Sequence, residues 1–272
     1  MAPKTGGKRR IRVSESVTDV MEAGTAEFRY ARERLGEAGE ATWDRLLDWL
    51  MEDYFRLEIT GWENIPAKGP AVIVANHSGA WGLDAFVLVK SLTRAVNRPL
   101  HVPAASLTFR FPVIGSYARK MGAFPLDPTL GLEHLTAGEL VGVFPEGISG
   151  LEKPFRSRYR LRPFSPGFAA TAVQAGAPVV PVSVVGAEEA YPKFGEIPAL
   201  ARLFGLPYFP LTTLLPLPSK WLITVGEPIP APPRPQSYSA RKAAAGLLCT
   251  EAQGAVQSLV DRERGRRATP FW

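Results

Sequence analysis

At 272 residues with 46% hydrophobic content, the chain can fill one large domain or two small ones. A single cysteine, Cys249, rules out an intramolecular disulfide, and no run of about 18 apolar residues occurs, so no spanning helix is expected. The net charge of +6 favours anionic partners without choosing among nucleic acid, phospholipid headgroups and phosphorylated substrates, while 26 prolines and 25 glycines suit a loop-rich α/β enzyme better than a helical bundle.

Residues 1–15 hold Lys4, Lys8, Arg9, Arg10 and Arg12 with no apolar stretch behind them. They read as a basic disordered arm, not a secretory signal. Residues 16–55 form a helical segment in one or two pieces, with a break near Gly36–Gly39. There Trp43, Leu46, Leu47, Leu50 and Tyr54 recur at spacings of three and four and make one apolar face. Packing on the core and insertion into a lipid headgroup zone both fit such a face.

Residues 56–235 read as the main domain. A short strand at Leu57–Thr60 and a turn-rich connection lead into Ala71–Ala75, a β-branched run of the kind buried on both faces of a sheet. A helix at Asp84–Leu92 follows, then strands at Leu100–Pro103 and Val141–Phe144, a helix around Pro166–Ala175, and strands at Val179–Val185 and Trp221–Val225. Residues 236–272 supply a helix at Tyr238–Val260 and a basic tail with Arg262, Arg264, Arg266 and Arg267. The alternation predicts an α/β fold: a mostly parallel central sheet covered by helices, with a helical N-terminal segment and a C-terminal helix. Chemistry in such sheets sits just beyond the carboxyl ends of the strands.

Of three histidines, His101 falls inside a strand and His134 in a polar helix or loop, where structural roles suffice. His77 directly follows a buried strand, on a glycine-containing loop with Asp84 at the start of the next helix. Neutral imidazole, with an ordinary pKa near ~6.5, can take a proton from an attacking alcohol. A carboxylate on the other ring nitrogen fixes the tautomer and stabilises the imidazolium. Spacing alone leaves open a plain helix cap at Asp84.

Asn76-His77 with Asp84 resembles the first signature block of the glycerolipid acyltransferases, the lysophosphatidate-acyltransferase-like enzymes. Phe111-Pro112-Val113-Ile114-Gly115 with Gly122–Asp127 resembles the second, Val143–Gly147 the third, and Val179–Val182 the fourth. Four blocks in order, within roughly residues 50–230, make the resemblance specific. It implies a membrane-surface O-acyltransferase, with His77 as general base and Asp84 as its orienter. Asn76, Gly115, Gly147 and Ser149 would lie at the substrate, Glu146 would position the acceptor, and Pro181 would line the acyl-donor site. Backbone N–H groups near Gly147 or after His77 would stabilise the oxyanion. The implied partners are a fatty acyl thioester (acyl-CoA or acyl-carrier protein as co-substrate), a lipid alcohol acceptor and an anionic membrane surface. No bound cofactor, metal or nucleic acid is implied. The expected location is cytoplasmic, peripheral on the inner face of a membrane.

Three departures qualify this. The family's usual His-to-Asp spacing is shorter than the six residues found here. Pro128 follows Asp127 where an arginine is usual, and Ile148-Ser149 replace a Thr-Arg after Gly147. Those arginines would grip an acceptor phosphate, so a phosphate at that position is not required, and the acceptor is left open among a lysophospholipid, an acylglycerol and a related lipid alcohol. Arg156, Arg158, Arg160 and Arg162 alternate, and in an extended segment all four would share a face able to bind phosphate or anionic lipid. Against a serine hydrolase stands the lack of a Gly-x-Ser-x-Gly elbow. The remaining alternative is a lipid- or acyl-thioester-binding protein that keeps the fold without turnover.

Overall fold

The computed structural model describes residues 37–271. The basic arm expected at 1–15, the helix expected before residue 37, Gly36 and Trp272 lie outside them. Helix α1 (residues 37–49) runs through Gly39 without a break and widens into a π-helical turn at Leu50–Tyr54. Leu47, Leu50 and Phe55 are buried, Trp43 and Tyr54 pack beside them, and Leu46 and Trp49 stay exposed. Core packing therefore accounts for most of the apolar face. The buried Lys90 ammonium, 2.5 Å from Asp44 and 2.9 Å from Asp48, ties α1 to the next helix.

Seven strands form the central sheet in the order β1-β9-β6-β2-β5-β3-β4. They are β1 (Glu58–Thr60), β2 (Ala71–Ala75), β3 (Leu100–Ala104), β4 (Ala123–Pro125), β5 (Leu140–Val143), β6 (Val179–Val185) and β9 (Leu222–Val225). A separate pair, β7 (Gly195–Glu196) and β8 (Pro210–Leu211), lies between β6 and β9. β6 and β9 are antiparallel, β1 runs parallel to β9, and every other pairing in the sheet is parallel. The helices after α1 are α2 (Leu83–Val96), α3 (Pro112–Lys120), α4 (Pro128–Thr136), α5 (Ile148–Leu151), α6 (Gly167–Ala175), α7 (Ala187–Ala190), α8 (Pro198–Phe204) and α9 (Tyr238–Arg266).

The central strands are apolar throughout because both faces are covered. Ala71, Ile73 and Ala75 of β2 face the core shared with α2 and with the Phe55–Trp221 stack. Val72 and Val74 face the core built with α6 and α9. Alternation along a strand thus feeds two cores at once.

Two expectations need correction. α9 continues to Arg266, so most of the supposed tail is helix. Its arginines are engaged: Arg262 and Arg266 pair with buried Glu263 at 3.0 and 2.6 Å, and Arg267 pairs with buried Glu189 at 3.0 Å. The segment Arg156–Arg162 is not extended either. Phe155–Ser157 is a 3₁₀ turn, and Tyr159 is left-handed with φ 69°, so the four arginines cannot share a strand face.

Candidate active site

β2 lies between β5 and β6, and the carboxyl ends of these strands meet at one place. β2 ends in Asn76-His77, β5 in Phe144–Gly147, and β6 in Gly186 and α7. Asn76 is buried and spans the β2–β6 gap. Its Nδ2 donates to the Val184 carbonyl at 2.9 Å, and Val184 N–H donates to its Oδ1 at 2.7 Å. Both ends of the amide are thereby used in fixing the strand end, so Asn76 does not face a substrate as expected.

The chain leaves β2 at His77 and reaches α2 through two left-handed glycines, Gly79 (φ 84°) and Gly82 (φ 71°), closed by Gly82 N–H donating to the Gly79 carbonyl at 3.2 Å. This fold of the loop absorbs the long spacing. His77 Nδ1 lies 2.7 Å from Asp84 Oδ2, and Ser78 N–H donates to the same oxygen at 2.7 Å. Asp84 is fully buried, whereas the His77 side chain keeps 14% exposure. A carboxylate only accepts, so in the neutral imidazole Nδ1 carries the proton and Nε2 keeps its lone pair. The His77 ring stacks on Phe144 with centroids 4.4 Å apart, which limits its rotation. Gly150 passes beneath, where a Cβ would come within 2.8 Å of the His77 carbonyl and 2.9 Å of Glu146 Cβ.

Glu146 differs from expectation. Its side chain is fully buried, and Oε1 accepts the His77 N–H at 2.9 Å while Oε2 accepts the Arg162 N–H at 2.6 Å. It holds the backbone of the dyad loop from inside and does not reach an acceptor. Lys153, also buried, sits 3.3 Å from Glu146 Oε2 and 3.1 Å from Glu188 Oε1. Burial alone would lower the Lys153 pKa, but the two carboxylates outweigh it and hold the ammonium above the ordinary lysine range. Burial raises the Glu188 carboxyl, with Lys153 opposing that shift. Glu188 Oε2 also accepts the Tyr159 N–H at 2.7 Å, and its neighbour Glu189 meets Arg267.

The other expected residues divide. Gly147 and Ser149 are exposed at the start of α5, beside Glu146. Gly147 has φ 57° and ψ −147°, a conformation suited to glycine. Its N–H is bound to the Phe144 carbonyl at 2.9 Å, and Ser78 N–H is committed to Asp84, so neither is free for an oxyanion. Gly115 is buried in α3, where a Cβ would meet the Phe109 backbone at 3.0 Å; it serves close packing. Pro181 borders a cavity of about 520 Å³ under α9, with Gly226, Pro228, Ala255 and Leu259, on the sheet face opposite the Phe144 side. That cavity includes neither His77 nor Asp84. Arg158 lies over the Phe155 ring at 4.4 Å, and Arg156 sits in the 3₁₀ turn.

His101 and His134 stack with centroids 4.2 Å apart and share Glu139 Oε2, at 3.4 and 2.5 Å. Their planes are 17° apart, and one ion cannot lie in two nearly parallel ring planes at once, so the shared carboxylate accounts for the cluster. Sequence reasoning missed Lys153, Glu188 and Gly150. Two consecutive glutamates directly after the all-apolar β6 were the available signal for Glu188.

The family model described as Acyltransferase matches residues 56–185. An uncharacterized protein of Mycobacterium tuberculosis is 45% identical over 196 residues, covering 68% of this chain and 55% of that protein. The chicken (Gallus gallus) protein named "DGAT1/2-independent enzyme synthesizing storage lipids" is 26% identical over 210 residues, covering 76% and 60%. The chain spans about half the length of the curated relatives it matches. Its fold is similar to the crystal structure of the 1-acyl-sn-glycerophosphate acyltransferase PlsC from Thermotoga maritima, with TM-score 0.57, 21% identity and coverage of 92% and 91%. With its four ordered blocks, the Acyltransferase model matched at residues 56–185 and this fold, the chain is similar to the glycerolipid acyltransferases across its central domain.

Proposed function

We propose that the protein transfers a fatty acyl group from an acyl thioester to the hydroxyl of a lipid alcohol at a membrane surface, with His77 as the general base. The observation that carries this reading is the 2.7 Å bond from His77 Nδ1 to a fully buried carboxylate, which leaves Nε2 as the acceptor at the strand end. In the reaction, the acceptor O–H gives its proton to Nε2 as the oxygen attacks the thioester carbonyl. Asp84 stabilises the imidazolium while the tetrahedral oxyanion collapses. The C–S bond then breaks, and the leaving thiolate takes the proton from His77. Such base catalysis contributes roughly 10²–10⁴-fold.

The acceptor we favour lacks a phosphate at the family's arginine positions, which here hold Pro128 and Ile148-Ser149. An acylglycerol or other long-chain alcohol fits, in keeping with the chicken relative's name. No described helix is long and apolar enough to cross a membrane, which is compatible with a peripheral enzyme. The test is an acceptor panel with one labelled acyl-CoA, scored by product mass. Acceptor-dependent thiol release in the wild type that is lost in His77→Ala supports the reading. Lipid binding without release across the whole panel would replace it with a binding protein.

A further inference from the structure

Residues 191–218 leave the sheet between α7 and β9 as an excursion built around α8 and the β7–β8 pair. Six of its large apolar side chains are exposed: Leu214 is 92% exposed, Leu215 75%, Leu203 73% and Phe194 67%, with Phe204 and Leu211 completing the set. Single exposed leucines are ordinary on a soluble surface, but this concentration within one short segment marks a contact surface.

The excursion is docked on the loop that carries the dyad. Tyr208 Oη donates to the Ala80 carbonyl at 2.6 Å. Phe209 meets Trp81 edge-on at 5.5 Å and stacks with Phe204 at 5.9 Å. Trp81 is itself half exposed, so apolar surface runs from α8 to a residue four positions beyond His77.

The charges at the α8 end of the excursion are cationic, while Glu152 lies on the side of Tyr208. The excursion's sole carboxylate, Glu196, is neutralised by Lys193 at 2.5 Å. Arg202 is exposed next to Leu203, and Arg110 lies beside Gly205 at the end of α8. Apolar side chains with arginines at their margin match an acyl layer under phosphate headgroups.

We propose that the 194–215 excursion, together with Trp81, is the surface that docks onto a phospholipid bilayer, and that the lipid acceptor crosses it from the membrane to His77. The second clause rests on the acyl-transfer reading; the first does not. The surface assigned here differs from the one the sequence suggested, because the C-terminal arginines are engaged within the protein and most of the α1 face is buried.

The full chain carrying Leu214→Asp and Leu215→Asp would be compared with wild type by flotation with phosphatidylcholine–phosphatidylglycerol vesicles. Both side chains are exposed, so thermal unfolding should be unchanged, which separates docking from folding. Partitioning should fall by roughly 100-fold. Transfer to a vesicle-borne acceptor should fall with it, while transfer to a short-chain soluble alcohol persists. Wild-type-like flotation of the variant overturns the proposal. So does a wild-type dimer that the substitutions dissociate while flotation is kept, which would assign the face to a second copy. Lost flotation in a protein that transfers no acyl group to any acceptor would sustain the docking surface and refute the acyl-transfer reading.

Discussion

Replacing Lys153 by methionine tests whether the dyad loop is held from inside by ionic contacts. The substitution keeps most of the side-chain volume but removes the ammonium facing Glu146 at 3.3 Å and Glu188 at 3.1 Å. Breaking a buried pair by deleting one partner costs about 3–5 kcal/mol, because the other charge stays desolvated. That is a large part of a total stability of about 5–15 kcal/mol, and corresponds to a drop in Tm of about 6–20 °C. The sign with pH follows from Glu188, whose carboxyl burial already raises above the usual range. Without Lys153 its folded pKa rises further above the unfolded value. A raised folded pKa contributes stability at low pH that is lost as pH climbs through it. The defect should therefore be greatest near neutral and alkaline pH and shrink toward the acidic range. Lys153 in the wild type has the same sign, keeping its contribution until pH exceeds its raised pKa. Urea unfolding followed through buried Trp221 fluorescence, across a pH series, reads both effects. A loss below about 1 kcal/mol, a pH-independent loss, or no recovery in Lys153→Met/Glu188→Gln would refute the reasoning.

Gly150→Ala should lower kcat far more than it raises KM, since the new Cβ would press on the His77 carbonyl and on Glu146; steady-state kinetics with far-UV circular dichroism would separate this from unfolding. Asn76→Ala should cost about 2–6 kcal/mol in denaturant unfolding, because two buried Val184 backbone groups lose their partners at about 1–3 kcal/mol each. An Asn76→Ala protein as stable as wild type would mean that the β2–β6 junction is held by other contacts.

The central strands were readable because burial on both faces forces continuous apolar runs, and Val179–Val185 coincides with β6 to the residue. The carboxyl-end position of His77 followed from the same pattern. Side-chain direction was not readable. Glu146 in a Phe-Pro-Glu-Gly turn suggests an acceptor contact in one dimension, yet its partners are the His77 N–H, a backbone N–H sixteen residues on and the buried Lys153. The arginines at 156–162 alternate as in a strand, but the turn at Phe155–Ser157 and a left-handed Tyr159 break that geometry. The 191–218 excursion carries no clear periodicity, since its residues pack against Trp81 and each other, and not along one regular face.

The unusual distance between His77 and Asp84 then has a physical explanation. A hydrogen bond between their side chains requires only that the loop return to the strand end, and two left-handed glycines with a closing hydrogen bond do this over six intervening residues. The longer loop also projects Trp81 and the Ala80 carbonyl, the two groups that Phe209 and Tyr208 engage. A shorter loop could pair the same side chains but would lose these anchors. The extra length thus links the imidazole to the apolar excursion: shortening the loop while preserving the His–Asp bond should leave transfer to a soluble alcohol and weaken transfer to a vesicle-borne one. Equal loss on both acceptors would show that the loop length serves only the dyad.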